Sequence, residues 1–179
     1  VYDSFQGSAD AIYNRLAELI DVAELEGNAT HYREMYRVFL RLVCNAPQGP
    51  PRSLAELNER MSFDWLEKAW QGHPAHLKSI SRLKDHAKDV GALFNRVSSL
   101  WMTFDRYMGP EGFSLDTSQS AVFAIKTLSV GDDAPRYVKF FLSDVGDWIS
   151  SRRQRPAVLV IDEFGALDNY TIVQLLKQG

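Results

Sequence analysis

Apolar residues in the first half of the chain recur every three or four positions, which is the period of an amphipathic helix. Ser8 is a suitable N-cap for a first helix that stops at residues 27–28, and Thr30 can cap a second helix. Ser53 and Glu56 form a capping-box pattern at the start of a third helix. The apolar faces of the first two helices comprise Ile12, Leu16, Leu19 and Ala23, and then Tyr32, Met35, Tyr36, Phe39, Leu40 and Val43.

The longest regular pattern lies at residues 75–108, after a short helix that Ser62 can cap. Because its apolar positions recur without a gap, we predict one continuous helix of roughly 33 residues, about 50 Å long at a rise of 1.5 Å per residue. Such a helix would be the spine of a helical bundle. Its apolar positions are Leu77, Ile80, Leu83, Ala87, Val90, Phe94, Val97, Trp101, Phe104 and Met108.

The pattern changes after Gly112. Residues 122–125 form a short strand candidate, residues 131–135 form a turn that opens a helix, and residues 157–161 are an uninterrupted apolar run. A run of that kind suits a parallel strand covered on both faces, so the order predicts a right-handed βαβ unit. We therefore predict a mainly α protein with a partial α/β portion. Residues 8–108 would form an all-helical domain, and residues 113–179 part of an α/β sheet domain.

Composition narrows the class of protein but not its function. The chain has 179 residues, 45% hydrophobic and 24% charged, which is typical of globular domains. Its net charge of −3 gives no overall positive field for nucleic acid or anionic membranes, although local contacts stay open. The single cysteine, Cys44, excludes an intrachain disulfide and fits a reducing cytoplasm. The abrupt ends, at Val1 and Gly179, lead us to expect a fragment of a longer protein.

Two carboxylates directly follow the second predicted strand. Residues 156–168 read PAVLVIDEFGALD, which puts Asp162 and Glu163 at the carboxyl end of that strand. Open α/β sheets bind their ligands at this edge. The pattern has the form of a Walker B segment, whose aspartate organises Mg²⁺ and whose glutamate can polarise the attacking water. The alternative is a strand end that carries two solvated acids.

The run VLVIDEFGALDNYTIVQLLKQG, residues 158–179, resembles the Walker B region of the FtsK/HerA-type hexameric motor ATPases. It is most similar to the type IV coupling proteins of bacterial conjugation and secretion, the TraD/TraG-like group. Residues 120–147 resemble the preceding strand and helix of that core. NATHYREMYRVFLRLV, residues 28–43, looks like the second helix of the all-alpha domain that coupling proteins insert into their nucleotide-binding domain. The resemblance thus implies a helical bundle attached to part of a RecA-like P-loop NTPase sheet.

The same resemblance implies roles for the two acids. Asp162 would hold Mg²⁺ through water, and Glu163 would be the base or water-positioning group for ATP hydrolysis. The complete protein would be a homohexamer that uses ATP to move DNA, with relaxase or effector proteins, through a secretion channel. It would be anchored in the bacterial inner membrane by segments outside this chain, which would belong to its cytoplasmic domain.

One part of the family pattern is missing from the chain. There is no GxxxxGK[ST], the motif whose backbone amides and lysine hold the phosphates, and the sensor segment is expected beyond Gly179. We therefore expect the chain alone to bind ATP and Mg²⁺ weakly and to be inactive.

Two further polar segments have a structural and a functional interpretation. Residues 129–133 follow the first predicted strand, either as a simple turn or as a border of the active-site crevice. Arg152, Arg153 and Arg155 precede the second strand, either as a solvated turn or as a contact with DNA or a neighbouring subunit.

The histidines are poor metal candidates by their positions in the sequence. Pro74 breaks the helix that would align His73 with His76, and His31 and His86 are isolated. A small helical domain cannot fully bury all three of its tryptophans, which are Trp65, Trp70 and Trp101.

Two other functions stay open at this point. The chain could be a non-catalytic helical module that recruits a protein substrate or a DNA-processing complex, with the βα portion as a support. It could also belong to another FtsK/HerA-type motor that pumps DNA and carries a helical insertion.

Overall fold

The computed structural model describes residues 1–20, 30–117, 120, 122, 134–151, 158 and 160. These residues are mainly helical, as predicted, and they contain seven α-helices and no β-strand. A 3₁₀ turn, Asp105–Tyr107, follows the sixth helix. The helices are α1 (Ala9–Leu19), α2 (Thr30–Cys44), α3 (Leu54–Arg60), α4 (Phe63–Ala69), α5 (Pro74–Lys84), α6 (Ala87–Phe104) and α7 (Ala134–Ser151).

Serine side chains begin three helices at the predicted positions. The Ser8 hydroxyl accepts a hydrogen bond from the backbone N–H three residues later at 3.2 Å, and Ser53 and Ser62 do the same at 3.0 and 3.2 Å. Each bond satisfies one of the N–H groups that a helix start leaves without a partner. The capping box differs in its second bond, because the Glu56 carboxylate accepts from the N–H of Arg52 at 2.7 Å rather than from that of Ser53.

The prediction of one continuous helix over residues 75–108 is wrong. α5 ends at Lys84, α6 begins at Ala87, and His86 between them leaves helical geometry with φ −111° and ψ 29°. The His86 N–H bonds to the carbonyl of Leu83 at 3.0 Å, a tighter turn than an α-helix makes. All five side chains of residues 84–88 are exposed, including that of Ala87. Because no buried side chain holds this turn against the core, a break there costs little apolar burial.

A hydrophobic core extends across the described helices. α1 packs most extensively on α7 and also on α2, while α6 packs on α2 and α3. The ring of Phe39 on α2 lies 5.0 Å from that of Phe94 on α6. Phe104 at the end of α6 stacks on Tyr137 of α7, with ring centroids 4.6 Å apart. α7 therefore shares a core with the helices of the first half of the chain.

The N-terminal segment is held between two later parts of the chain and the start of α7. The N–H of Tyr2 donates to the carbonyl of Tyr107, and the N–H of Asp3 to that of Phe113, both at 2.9 Å. The Tyr2 ring lies 4.9 Å from the ring of Phe141 on α7. These contacts fix the positions of Tyr2 and Asp3 beside α7.

The helix of the predicted βαβ unit is confirmed, since α7 begins at the predicted turn. The predicted strands at residues 122–125 and 157–161 lie mostly outside the described residues. Val122, Val158 and Val160 are described; they lie in no regular element and are 88%, 89% and 83% exposed. The α/β portion stays a prediction, and so does the domain division after residue 108, although α7 packs on α1 across it.

Candidate functional site

The acids on which the predicted nucleotide site depends, Asp162 and Glu163, lie outside the described residues. So do residues 129–133 and the arginines of residues 152–155. Their placement beside ATP and Mg²⁺ therefore stays a prediction.

A buried polar cluster lies where α1, α7 and the N-terminal segment meet. Its centre is the Arg15 side chain, which is only 2% exposed. The guanidinium donates to the carbonyl of Ser4 at 2.7 Å, to the carbonyl of Gln6 and to the carboxylate of Asp144, and its Nε lies 3.8 Å from the carboxylate of Asp147. Both aspartates belong to α7. One arginine thus ties the N-terminal segment and α1 to α7.

Among the described residues, the cluster has more carboxyl groups than positive charges. Burial and the neighbouring Asp147 carboxylate raise the pKa of Asp144 to about 7. Burial also raises the pKa of Asp147, against the attraction of Arg15, and burial lowers the pKa of Arg15 itself. Asp144 further accepts a hydrogen bond from the Tyr2 hydroxyl. Because one guanidinium can balance only one ionised carboxylate, the second is costly to ionise in this setting.

A cavity of about 450 Å³ opens onto this cluster. The first turn of α1, residues 114–116 and α7 contribute to its walls. Among the described residues, Arg15 lines it together with four carboxyl groups, so this part of its wall is acidic. The cavity gives water a path to the cluster, and the acids can exchange protons with solvent. The four acidic lining residues are Asp3, Asp116, Asp144 and Asp147.

A second cavity, of about 500 Å³, lies between α1, α2 and α7. Among the described residues, Glu18 and Glu34 line it with Arg37 and Arg41. The Arg41 guanidinium lies over the ring of Tyr13, 4.9 Å from the centroid.

His31 and His86 are isolated in the sequence, but the fold brings their rings together edge to face with centroids 5.3 Å apart. The His86 imidazole also lies 3.8 Å from the carboxylate of Asp89. His76 stacks on Trp70 at 3.9 Å between centroids. Within the ranges that the structure describes, no three His, Cys, Asp or Glu side chains are grouped so as to hold a metal ion.

The prediction that three tryptophans cannot all be buried is confirmed. Trp70 is buried, and its indole N–H donates to the carbonyl of Leu42 at 3.0 Å. Trp65 and Trp101 are half-buried, and the guanidinium of Arg60 lies 4.9 Å from the Trp65 ring centroid.

Reasoning from the sequence missed Arg15 and its partners. Arg15 falls on the apolar stripe of α1, three residues after Ile12. On α7, Asp144 stands three residues after the buried Phe141, and Asp147 three residues further on. A charged residue on a buried helix face needs an opposite charge or hydrogen-bond partners. The presence of Arg15 and the two aspartates on apolar helix faces was therefore the signal in the sequence that could have revealed the cluster.

Comparison of the chain with protein-family models, with curated proteins and with solved structures finds no match. The residues that the structure describes contain no helix long and apolar enough to span a membrane. We therefore infer the function of the chain from its own residues and from the resemblance of residues 158–179.

Proposed function

We propose that this chain is part of an ATP-driven DNA-translocating coupling ATPase of the FtsK/HerA type, which serves conjugative DNA transfer or type IV secretion. The observation that carries the proposal is the sequence of residues 156–168, in which an apolar run leads directly into Asp162 and Glu163 and then FGALD. Residues 8–108 would be its all-alpha domain, and residues 157–161 its Walker B strand.

The two acids would divide the chemistry between them. Asp162 would hold Mg²⁺ through water, and Glu163 would orient and polarise the water that attacks ATP. Phosphoryl transfer needs charge neutralisation and positioning more than covalent chemistry, which two acids at one strand end can supply. The phosphate-binding GxxxxGK[ST] would come from the rest of the complete protein, as would its membrane anchor.

The mainly helical fold is compatible with an all-alpha domain followed by a sheet. Val158 and Val160 are almost fully exposed, although they belong to an apolar run. A central strand would leave such residues uncovered in the absence of the neighbouring strands and helices that bury it in a complete sheet. In the full-length homohexamer those elements would come from the remaining nucleotide-binding domain.

The helices suggest a docking role as a second, compatible function. They share one hydrophobic core, which includes α7, so the helices form one packed unit that would present a docking surface. It would recruit a relaxase or an effector protein. Purified relaxase from the same transfer system should bind the chain, and a relaxase from an unrelated system should not. Equal binding of the two would argue against specific docking.

The test of the ATPase proposal is Glu163→Gln in the full-length protein. Loss of the carboxylate should leave ATP binding intact and reduce turnover at least about 100-fold, within the range that general acid–base catalysis supplies. Glu111→Gln is the matched control, because Glu111 is exposed and lies outside the motif. Wild-type turnover in the Glu163 variant would remove this residue from the mechanism.

The isolated chain provides a complementary test. Because it lacks GxxxxGK[ST], it should not hydrolyse ATP with Mg²⁺ at any protein concentration. Robust, magnesium-dependent turnover by the purified chain would contradict the proposed division of the active site.

A further inference from the structure

The contact between α1 and α7 has an unusual charge balance. Arg15 reaches two carboxyl groups of α7, those of Asp144 and Asp147, and Asp3 lines the same cavity. The Tyr2 hydroxyl donates to Asp144 and so adds a hydrogen bond but no positive charge. When ionised, Asp3, Asp144 and Asp147 together carry three negative charges, against the one positive charge of Arg15.

A proton is the simplest species that restores the balance. Asp144 and Asp147 stand three residues apart on α7, and the carboxyl groups of both lie within ion-pair distance of the Arg15 guanidinium. When two carboxyl groups share one partly buried site, the charge of the first disfavours ionisation of the second. The second group therefore ionises at a pH above the ordinary pKa of aspartate. The proton then belongs to the pair rather than to either residue.

We propose that the α1–α7 contact is a pH-sensitive switch, in which Asp144 and Asp147 share one proton while α7 is packed on α1. Loss of that proton leaves two carboxylates on one arginine and weakens the packing of α7. The acidic cavity beside the pair admits the water that carries the proton away. The proposal depends on the helix contact alone and not on the proposed ATPase function.

The direction of the pH effect follows from linkage. Burial raises the pKa of Asp144 from 3.8 to about 7 in the packed state. Between these values the packed state holds a proton that the separated state has lost, so packing weakens as the pH rises toward 7. Below pH 3.8 both states hold the proton, and α7 packs most tightly on α1. Above about pH 7 both states have lost it, and the stabilisation of the packing by this proton is gone. The charged and titratable groups that face the pair from the described elements are Tyr2, Asp3, Arg15 and Asp116.

Hydrogen exchange of the α7 amides measures the switch directly. In the wild-type chain their protection factors should fall up to about tenfold per pH unit between pH 5 and 7, the slope of one proton. Asp144→Asn mimics the protonated acid, so its protection factors should change less than about twofold over that range. Asp85→Asn is the control, because Asp85 is exposed at the end of α5 and its variant should follow the wild type.

Carbon-13 NMR titration of the aspartate carboxyl groups gives a readout that needs no variant. One titration of the Asp144–Asp147 pair should have its midpoint well above the ordinary aspartate range. The proposal is overturned if both carboxyl groups titrate near pH 4 in the folded wild-type chain. It is equally overturned if Asp144→Asn folds and its α7 protection falls with pH as steeply as that of the wild type.

Discussion

Replacing Arg15 with methionine tests the contact that holds α1 to α7. Methionine keeps most of the apolar stem of the side chain and removes the guanidinium. The change deletes hydrogen bonds to the Ser4 and Gln6 carbonyls and the ion pair with Asp144. The Ser4 and Gln6 carbonyls lose their arginine donor, and Asp144 keeps the hydrogen bond from the Tyr2 hydroxyl, in a place where the arginine itself is 2% exposed.

The size of the effect can be worked from those partners. Removing one partner of a buried ion pair costs about 3–5 kcal/mol, because the other charge stays buried and unpaired. Here Asp144 can take up a proton, and Asp147 is 43% exposed to solvent. Both carboxyl groups can therefore lower the cost of losing the guanidinium. We therefore expect Arg15→Met to lower the free energy of unfolding by about 3 kcal/mol, the lower end of that range.

Urea unfolding followed by circular dichroism and tryptophan fluorescence measures this loss. Arg37→Met is the matched control, because Arg37 is half exposed and pairs with Glu34 on the surface of α2. An exposed pair contributes about 1 kcal/mol or less, so the control should change stability little. A loss below about 1 kcal/mol for Arg15→Met, or a loss equal to that of the control, would refute the structural role given to Arg15.

Three further predictions follow from the packing. Gly112→Ala should lower the free energy of unfolding in urea by about 1–3 kcal/mol, because the added Cβ would lie 2.7 Å from the N-terminal backbone. Gly91→Ala is the contrasting variant: Gly91 lies inside α6 with open space around it, so the change should raise the free energy of unfolding by about 0.5–1 kcal/mol. Trp70→Phe leaves the Leu42 carbonyl without its donor and should cost about 1–3 kcal/mol by thermal unfolding; an unchanged midpoint would contradict the bond. Burial raises the pKa of Cys44 to about 12, so a thiol reagent at pH 8 should label it only after unfolding, and rapid labelling of the folded chain would contradict its burial.

Local signals in the sequence predicted the local structure well. The starts of α1, α3 and α4 follow from Ser8, Ser53 and Ser62, because a hydroxyl that satisfies the first N–H groups acts within one turn. The position of α7 follows equally from a turn and an apolar face. These features depend only on residues close to one another in the chain.

Helix continuity was not predictable in the same way. The apolar period continues from Leu83 to Val90, but residues 84–88 have no buried side chain between them. A periodic pattern says which side of a helix can be buried and not whether a neighbour is present to bury it. The break between α5 and α6 therefore depends on tertiary packing.

The sequence pattern also did not predict which helix packs against each buried face. Arg15 and Asp144 are 129 positions apart, and neither residue alone says which helix it meets. The same limit applies to His31 and His86, which the fold brings together from α2 and the α5–α6 junction. For Asp162 and Glu163 the sequence predicts the chemistry of the pair, and their positions lie outside the described residues.

The most direct measurement of the proposed function is a structure of the full-length protein with Mg²⁺ and a non-hydrolysable ATP analogue. We predict that the Asp162 carboxylate lies about 4 Å from Mg²⁺ with a water between them, and that Glu163 contacts the water in line with the γ-phosphate. Both acids at a distance from the bound nucleotide, or residues 157–163 in a helix, would contradict the account.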